Sequence, residues 1–355
     1  MRVSKTTVGI LFGGRSGEHE VSVVSAQGAL GAIDTARFEP VALGVTRSGT
    51  WLTPGETREA LRSLAPGRYE PLPEVDANPL LVRHEVLRAV SGLDVVFPLI
   101  HGPYGEDGSL QGFFKVAGIP YVGAGVAASA IGLDKQLQKA IWKQAGLPVV
   151  EYLAVSREEW LESPDEVARR AEGDLGYPAF VKPSNGGSSV AISKVRSRED
   201  LGEAMDAALA YGPKALVERA MTAHEVECAV LGNERPEASP LGEIIPGREF
   251  YDYEAKYLDV GTKYAVPPRI PADLQQQIKE MAIAAYRAIG CEGMARVDFF
   301  VEDGGSIYLN EINTIPGFTP ISMYPRLWAE AGVSYTELLT KLIDLALERA
   351  ARGDD

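Results

Sequence analysis

The segment "ARVDFFVEDGGSIYLNEINT", Ala295 to Thr314, sets an arginine, two carboxylates and an asparagine among apolar residues. Gly304-Gly305 is the kind of two-residue loop that favours a type I′ turn, since both positions call for φ > 0. With that turn, Arg296 faces Asn313, Asp298 faces Glu311 and Val301 faces Tyr308. Side chains alternate along a strand. One face then carries Arg296, Asp298, Phe300, Leu309, Glu311 and Asn313. The other, core-like face carries Val297, Phe299, Val301, Tyr308, Asn310 and Ile312. Like charges opposed across a strand pair repel. A shared proton, Arg296 or a bound cation would each offset the repulsion. Oxygen-only ligands suit a hard cation such as Mg²⁺, which keeps waters and is often shared with phosphates. Solvated charges on a half-exposed edge hairpin fit the segment equally well.

Other stretches carry weaker signals. In "FVKPSNGGSSVAI", Lys182 ends an apolar strand before a loop of small residues. Successive N–H groups of such a loop can wrap a phosphate, although a Gly-rich hairpin loop is usually only a turn. The spacing is neither that of a P-loop nor that of a dinucleotide fingerprint. Glu218 and Glu225 flank the short connection in "LVERAMTAHEVECAV", where solvated loop carboxylates would look the same. Lys256 sits between aromatic and acidic residues in "FYDYEAKY". Glu18 and Glu20 stand near a helix start, where the helix dipole alone accounts for carboxylates. His101 lies at the carboxyl end of a strand, the end at which ligands bind open α/β sheets.

Elements that would position these residues can be read from pattern. "TTVGILF", "FEPVALGVT", "LDVVFPLI" and "IPYVGAG" read as strands, with "VSVVSAQGALGAI" and "SLQGFFKVAG" as helices, Ser109 capping the latter. The alternation points to a mostly parallel sheet with the "GGRSGEHE" and "HGPYGEDG" loops at its carboxyl end. A helix follows from about Asp134 to Gln144, closed by Gly146 and Pro148. "YPAFVKP", "VAISKV" and "ALVER" with a helix near 199–210 form a smaller α+β unit. Strands dominate after Met221, then come a helix near 272–289, the hairpin and a C-terminal helix near 335–351. Boundaries fall at 1–123, 124–218 and 219–355.

The chain has 355 residues, 45% of them apolar, and a formal net charge of −14. That charge argues against nonspecific nucleic-acid binding. No apolar run approaches membrane-spanning length, and "TTVGILFGG" is too short for a signal peptide. Cys228 and Cys291 have no metal spacing, which points to a reduced, cytoplasmic protein.

Taken in order, "LFGGRSGEHEVS", "HGPYGEDG", "GLDK", "VKPSNGGSSV", "FYDYEAKY", "ARVDFF" and "LNEINTIPGFTPIS" resemble the D-alanine–D-alanine ligase family of the ATP-grasp superfamily. The resemblance runs from about residue 7 to the C-terminal helix. It implies an ATP-grasp fold: a parallel α/β unit, a small central α+β unit and a mostly antiparallel C-terminal α+β unit. It implies that ATP phosphorylates one D-alanine and the amine of a second attacks the acyl phosphate, giving a dipeptide for peptidoglycan precursors. Asp298, Glu311 and Asn313 would hold two Mg²⁺ ions, replaceable by Mn²⁺, and Arg296 would hold the acyl phosphate. Lys135, Lys182 and Lys256 match phosphate-contacting lysines, Ser188 the loop over the phosphates, Glu218, Ala220 and Met221 the adenine edge, and Glu225 the ribose carboxylate. Glu20 matches the carboxylate for the first D-alanine's ammonium, with His101 near the same substrate. Ser188 and Tyr257 would close the loop near Glu20. Gly317 and Ser322 match the second substrate's carboxylate site. The "EAKY" pattern around Tyr257 favours an amine over a hydroxyl acceptor. Arg219 departs from the lysine common there. A homodimer with no membrane or nucleic-acid partner is also implied.

Three rivals remain at this point. A different ATP-grasp ligase would share the hairpin and differ in the acceptor pocket. A silent ATP-binding regulator would lack a metal ligand or phosphate lysine, and none is missing. A nucleotide-dependent oxidoreductase would show a GxGxxG fingerprint, which is absent.

Overall fold

The computed structural model describes residues 5–75, 83–187, 191–245, 261 and 263–353. Three strands, β1 (Thr6–Gly13), β2 (Phe38–Val45) and β3 (Val95–Pro98), form a parallel sheet in the order β2-β1-β3. β1 lies at its centre and six of its eight residues are buried. Such two-sided burial is why it reads as a continuous apolar run rather than an alternating one. The fourth expected strand is reduced to a single parallel bridge, Val96 to Tyr121. Gly123 ends it by turning into the left-handed region, φ +97.

The helix His19–Ala32 packs on β1 and ties the two loops at the carboxyl end together. Ser22 Oγ accepts from Gly13 N (2.8 Å) and donates to Leu99 O (2.6 Å). Gly13 has φ +91, and a Cβ there would stand 2.1 Å from Val45 O, so only glycine fits the turn. In the next loop the helix Ser109–Ala117 begins at Ser109 rather than being capped by it. Asp107 Oδ1 accepts from Ser109 N at 2.9 Å and does the capping.

The middle of the chain builds an antiparallel sheet from β4 (Tyr152–Ser156), β5 (Ala179–Pro183), β6 (Ser193–Val195) and β7 (Lys214–Arg219), in the order β4-β7-β5-β6. It has its own core, with Val155, Val181, Met205 and Val217 fully buried or nearly so. The helix Arg198–Tyr211 covers it, opened by a Ser197–Asp200 capping box.

Then come β8 (His224–Leu231), β9 (Glu237–Ile245), β10 (Lys263–Ala265), β11 (Met294–Val301) and β12 (Ile307–Asn313), antiparallel in the order β10-β9-β8-β11-β12. One face packs on the helices Ala272–Ala288 and Lys135–Gln144, pinned by Trp142 Nε1 donating to Ala285 O at 3.1 Å. Part of the other face merges with the core of the first sheet through the helix Met323–Glu330.

The hairpin β11–β12 differs from expectation in one instructive way. Its loop closes between Glu302 and Ser306, and only Gly305 has positive φ, +86. This is a three-residue connection rather than the two-residue type I′ turn. It shifts Val301 to Ile307 instead of Tyr308, and a bulge after Asp298 shifts the register back, so Asp298 faces Glu311 and Arg296 faces Asn313 as expected. The residue spent in the bulge is Asn310. Leu309 therefore turns into the core, fully buried, while Tyr308 and Asn310 stand on the polar side, the reverse of the expected faces.

The C-terminal helix Tyr335–Arg352 locks the first sheet to the rest. Arg349 is buried there, donating to Gly123 O (2.5 Å) and Tyr121 O (2.8 Å), with its guanidinium 4.5 Å over the Tyr121 ring. Arg349→Ala leaves both carbonyls without these donors and is expected to destabilise the protein by about 3 kcal/mol. The denaturant midpoint tests it, and an unchanged midpoint would mean that the junction does not depend on the arginine.

Candidate active site

The central feature is a row of three carboxylates across neighbouring strands. Asp298 on β11 is paired with Glu227 on β8 and with Glu311 on β12. Such a row is tolerated only with cations inside it. Arg296 supplies the first, donating from Nε to Asp298 Oδ1 (2.8 Å) and from Nη2 to Oδ2 (2.7 Å), with Nε 3.2 Å from Glu227 Oε2. Burial opposes the guanidinium charge, but Asp298 and Glu227 raise its pKa well above the ordinary arginine value. Lys135 supplies the second, with Nζ 3.1 Å from Glu311 Oε2. Asn313 Nδ2 donates to Asp298 Oδ2 at 3.0 Å.

Lys135 is aimed by its helix start. Asp134 is the N-cap, its Oδ1 accepting from Gln136 N and Leu137 N, and Lys214 Nζ holds its Oδ2 at 2.6 Å. Lys135 N donates to Ser184 O (2.8 Å) and its Nζ to Gly186 O (2.6 Å), so helix and Gly-rich loop are stitched together. Lys182 Nζ donates to Asn310 Oδ1 at 3.4 Å, the residue that the bulge turned outward, and pairs with Glu218 Oε2 at 2.8 Å. Glu218 is buried, which disfavours its charge, yet Lys139 and Lys182 hold its pKa below the usual value.

These residues border a cleft of about 720 Å³ between the middle and third sheets. Lys135, Lys182, Glu218, Ala220, Met221, Glu225, Arg296, Asp298 and Glu311, singled out from the sequence, all line it. Arg219 also borders it, 5.8 Å over the Tyr308 ring. A smaller cavity of about 140 Å³ joins at Arg296 and Glu311 and is lined by His101, Asn313, Gly317 and Ser322. The expected metal donors are all oxygens, Asp298 and Glu311 carboxylates and the Asn313 amide, which is the chemistry a hard divalent ion takes. Among the described residues no group of three His, Cys, Asp or Glu side chains is arranged to hold a metal by itself. Phosphate oxygens and waters would have to complete the shell.

Glu20 does not join this site. It is buried against Arg47, with Arg47 Nε 3.0 Å from its Oε1. Glu18, two residues earlier, lines the smaller cavity instead. The helix opens at His19, so Glu18 stays in the loop at the sheet's carboxyl end while Glu20 turns inward. Ser188, Lys256 and Tyr257 lie outside the described residues, as does the contact expected between the first and last of them. Sequence reasoning also passed over Glu227, Asn310 and Glu106. Glu225 and Glu227 at i, i+2 could have shown Glu227 on the site face.

The small cavity is tied across the chain at one residue. His101 Nδ1 lies 3.0 Å from Ile315 O, and Glu106 Oε1 accepts from Ile315 N at 3.0 Å. A carbonyl only accepts, so Nδ1 carries the proton. Burial lowers the His101 pKa, and its buried Nε2 has no hydrogen-bond partner among the described residues. Glu106 Oε2 accepts from Gly102 N at 2.6 Å. Although Glu106 borders the cavity, burial pushes its carboxyl up to about 8, and Glu18 adds to the shift.

Residues 7–124 match the family model described as D-ala D-ala ligase N-terminus, and residues 141–344 the one described as D-ala D-ala ligase C-terminus. The D-alanine–D-alanine ligase of Natranaerobius thermophilus is 45% identical over 357 aligned residues, covering 99% of this chain and 98% of that protein. The one of Acetivibrio thermocellus is 46% identical, covering 97% of this chain and 96% of that protein. The structure of the D-alanine–D-alanine ligase from Coxiella burnetii matches with a TM-score of 0.82 at 33% identity, covering 99% of this chain and 97% of that one. The VanG D-Ala:D-Ser ligase from Enterococcus faecalis matches with a TM-score of 0.79 at 34% identity, covering 97% and 100%.

A carboxyl with a raised pKa in the folded state stabilises the fold at low pH and loses that contribution as pH rises. For Glu106 the loss begins near the ordinary glutamate value of 4.5 and is complete above about 8. Glu106→Gln should therefore flatten the decline in melting temperature between pH 5 and pH 8. Parallel declines in the two proteins would show that Glu106 does not titrate in this window.

Proposed function

The chain belongs to the D-alanine–D-alanine ligase family, and on that premise we propose how its residues divide the work of the reaction. Two D-alanines are joined at the expense of ATP. A carboxylate oxygen of the first attacks the γ-phosphorus and ADP leaves. The amine of the second, having lost a proton, attacks the acyl carbon, and phosphate leaves as the C–N bond closes.

The large cleft takes ATP. Lys135 and Lys182 meet the phosphates, Glu225 the ribose, and Glu218 with Ala220 and Met221 the adenine. Two Mg²⁺ ions held by Asp298, Glu311 and Asn313, with Mn²⁺ as a substitute, would neutralise the transferring phosphoryl group and align its oxygens. Arg296 bridges the two cavities. Its fork would turn from Asp298 to the oxygens on which charge develops.

The small cavity takes the D-alanines. Glu18 borders it and is the better partner for the first ammonium than Glu20, which Arg47 already holds. Gly317 and Ser322 receive the second carboxylate, and His101 stays beside the first substrate. Ser188, Lys256 and Tyr257 keep the loop and lid roles that the resemblance implies. Three units at 1–123, 124–218 and 219–355, assembled as a homodimer in the cytoplasm, complete the proposal. No helix among the described residues is long and apolar enough to cross a membrane.

The observation that carries this assignment is the junction of the two cavities at the Arg296–Asp298–Glu311 row. The test is phosphate release from ATP and Mg²⁺ with D-alanine, D-alanine plus D-serine, or D-alanine plus D-lactate, with products weighed by mass spectrometry. D-alanyl-D-alanine from D-alanine alone is the expected product. A preferred D-lactate ester would overturn the role given to Tyr257. Arg296→Lys keeps the charge but not the fork, and kcat should fall about 100-fold. An unchanged kcat would remove Arg296 from the reaction.

A further inference from the structure

Lys139 has no part in the assignments above, yet it is a fully buried ammonium on the helix that carries Lys135. The two lysines are four residues apart and share a helix face. Lys139 Nζ stands 3.2 Å from Glu218 Oε1, on the opposite carboxylate oxygen from Lys182. Among the described residues neither Nζ nor Oε1 has a hydrogen-bond partner beyond this contact. The Tyr152 ring lies 6.0 Å from the ammonium. Lys182 and Glu218 border the large cleft, whereas Lys139 is enclosed behind them.

One carboxylate between two ammoniums leaves a net positive charge, and Lys182 is the member able to reach the cleft. To meet a phosphate it must give up Glu218. A buried carboxylate stripped of its only cation is strongly unfavourable. With Lys139 in place that penalty does not arise, because Glu218 keeps one cation throughout.

We propose that Lys139 is a positioning residue for nucleotide binding: it neutralises Glu218 permanently, so that Lys182 can exchange Glu218 for a phosphate. Burial pulls the Lys139 pKa down to about 8, with Lys182 adding to the fall, and Glu218 is the foremost group opposing it, followed by Glu311. The inference rests on the large cleft being the ATP site.

The test is a double-mutant cycle on the full-length enzyme, reading KM for ATP, KM for D-alanine, kcat and ligand-free melting. Lys139→Met should raise KM for ATP about tenfold and leave KM for D-alanine unchanged. In a Glu218→Gln background the same change should cost nothing further, since no carboxylate remains to strand. Lys139→Gln takes the place of Lys139→Met if the latter does not fold. An equal rise in both backgrounds, or none in either, would overturn the proposal. So would equal effects on both KM values with a lowered melting temperature, which would make Lys139 merely structural. If Lys182→Ala and Glu218→Gln each leave KM for ATP unchanged, the placement of ATP itself fails. If they raise it and Lys139→Met does not, only the present inference fails.

Discussion

Three carboxylates in one row across three strands cannot coexist without positive charge among them, and most of the site follows from that constraint. Arg296 and Lys135 provide it. The arginine comes from within the row, two residues from Asp298 on the same strand. The lysine must come from elsewhere, so the helix Lys135–Gln144 begins beside the hairpin and is held by the Asp134 cap. The Gly-rich loop is then drawn in through Lys135 and Ser184. Charge balance in this sense organises the middle and third sheets around one point.

The same accounting explains which groups are charged and which are neutral. Around the large cleft cations face carboxylates directly, and Glu218 takes two of them, Lys139 and Lys182. At the small cavity burial works against charge instead, lowering the pKa of His101 and raising that of Glu106.

Much of this was legible in the chain. The parallel sheet follows from apolar runs such as "TTVGILF", because a strand buried on both faces has no polar side to show. The pairs Arg296–Asn313 and Asp298–Glu311 were read correctly although the turn was not. A three-residue loop and a one-residue bulge shift the register in opposite senses and cancel. Asn310 was lost in that cancellation, since a bulge depends on neighbours that no local pattern reports. Glu227 was missed because it joins the row through a third strand, and Lys139 because a buried lysine on a helix looks like any exposed one. Glu20 was preferred to Glu18 on motif alone, and only the point where the helix opens separates them.

The clamp on Ile315 ties together parts of the chain more than two hundred positions apart. His101 and Glu106 come from the first sheet's loop, and Ile315 leads into Gly317 and Ser322. The small cavity is therefore not a cassette that one segment encodes. Recombination between relatives would have to inherit both segments from one parent, or leave the Ile315 carbonyl and amide facing a loop not shaped for them. Divergence of this cavity is thereby coupled between two distant stretches of the gene.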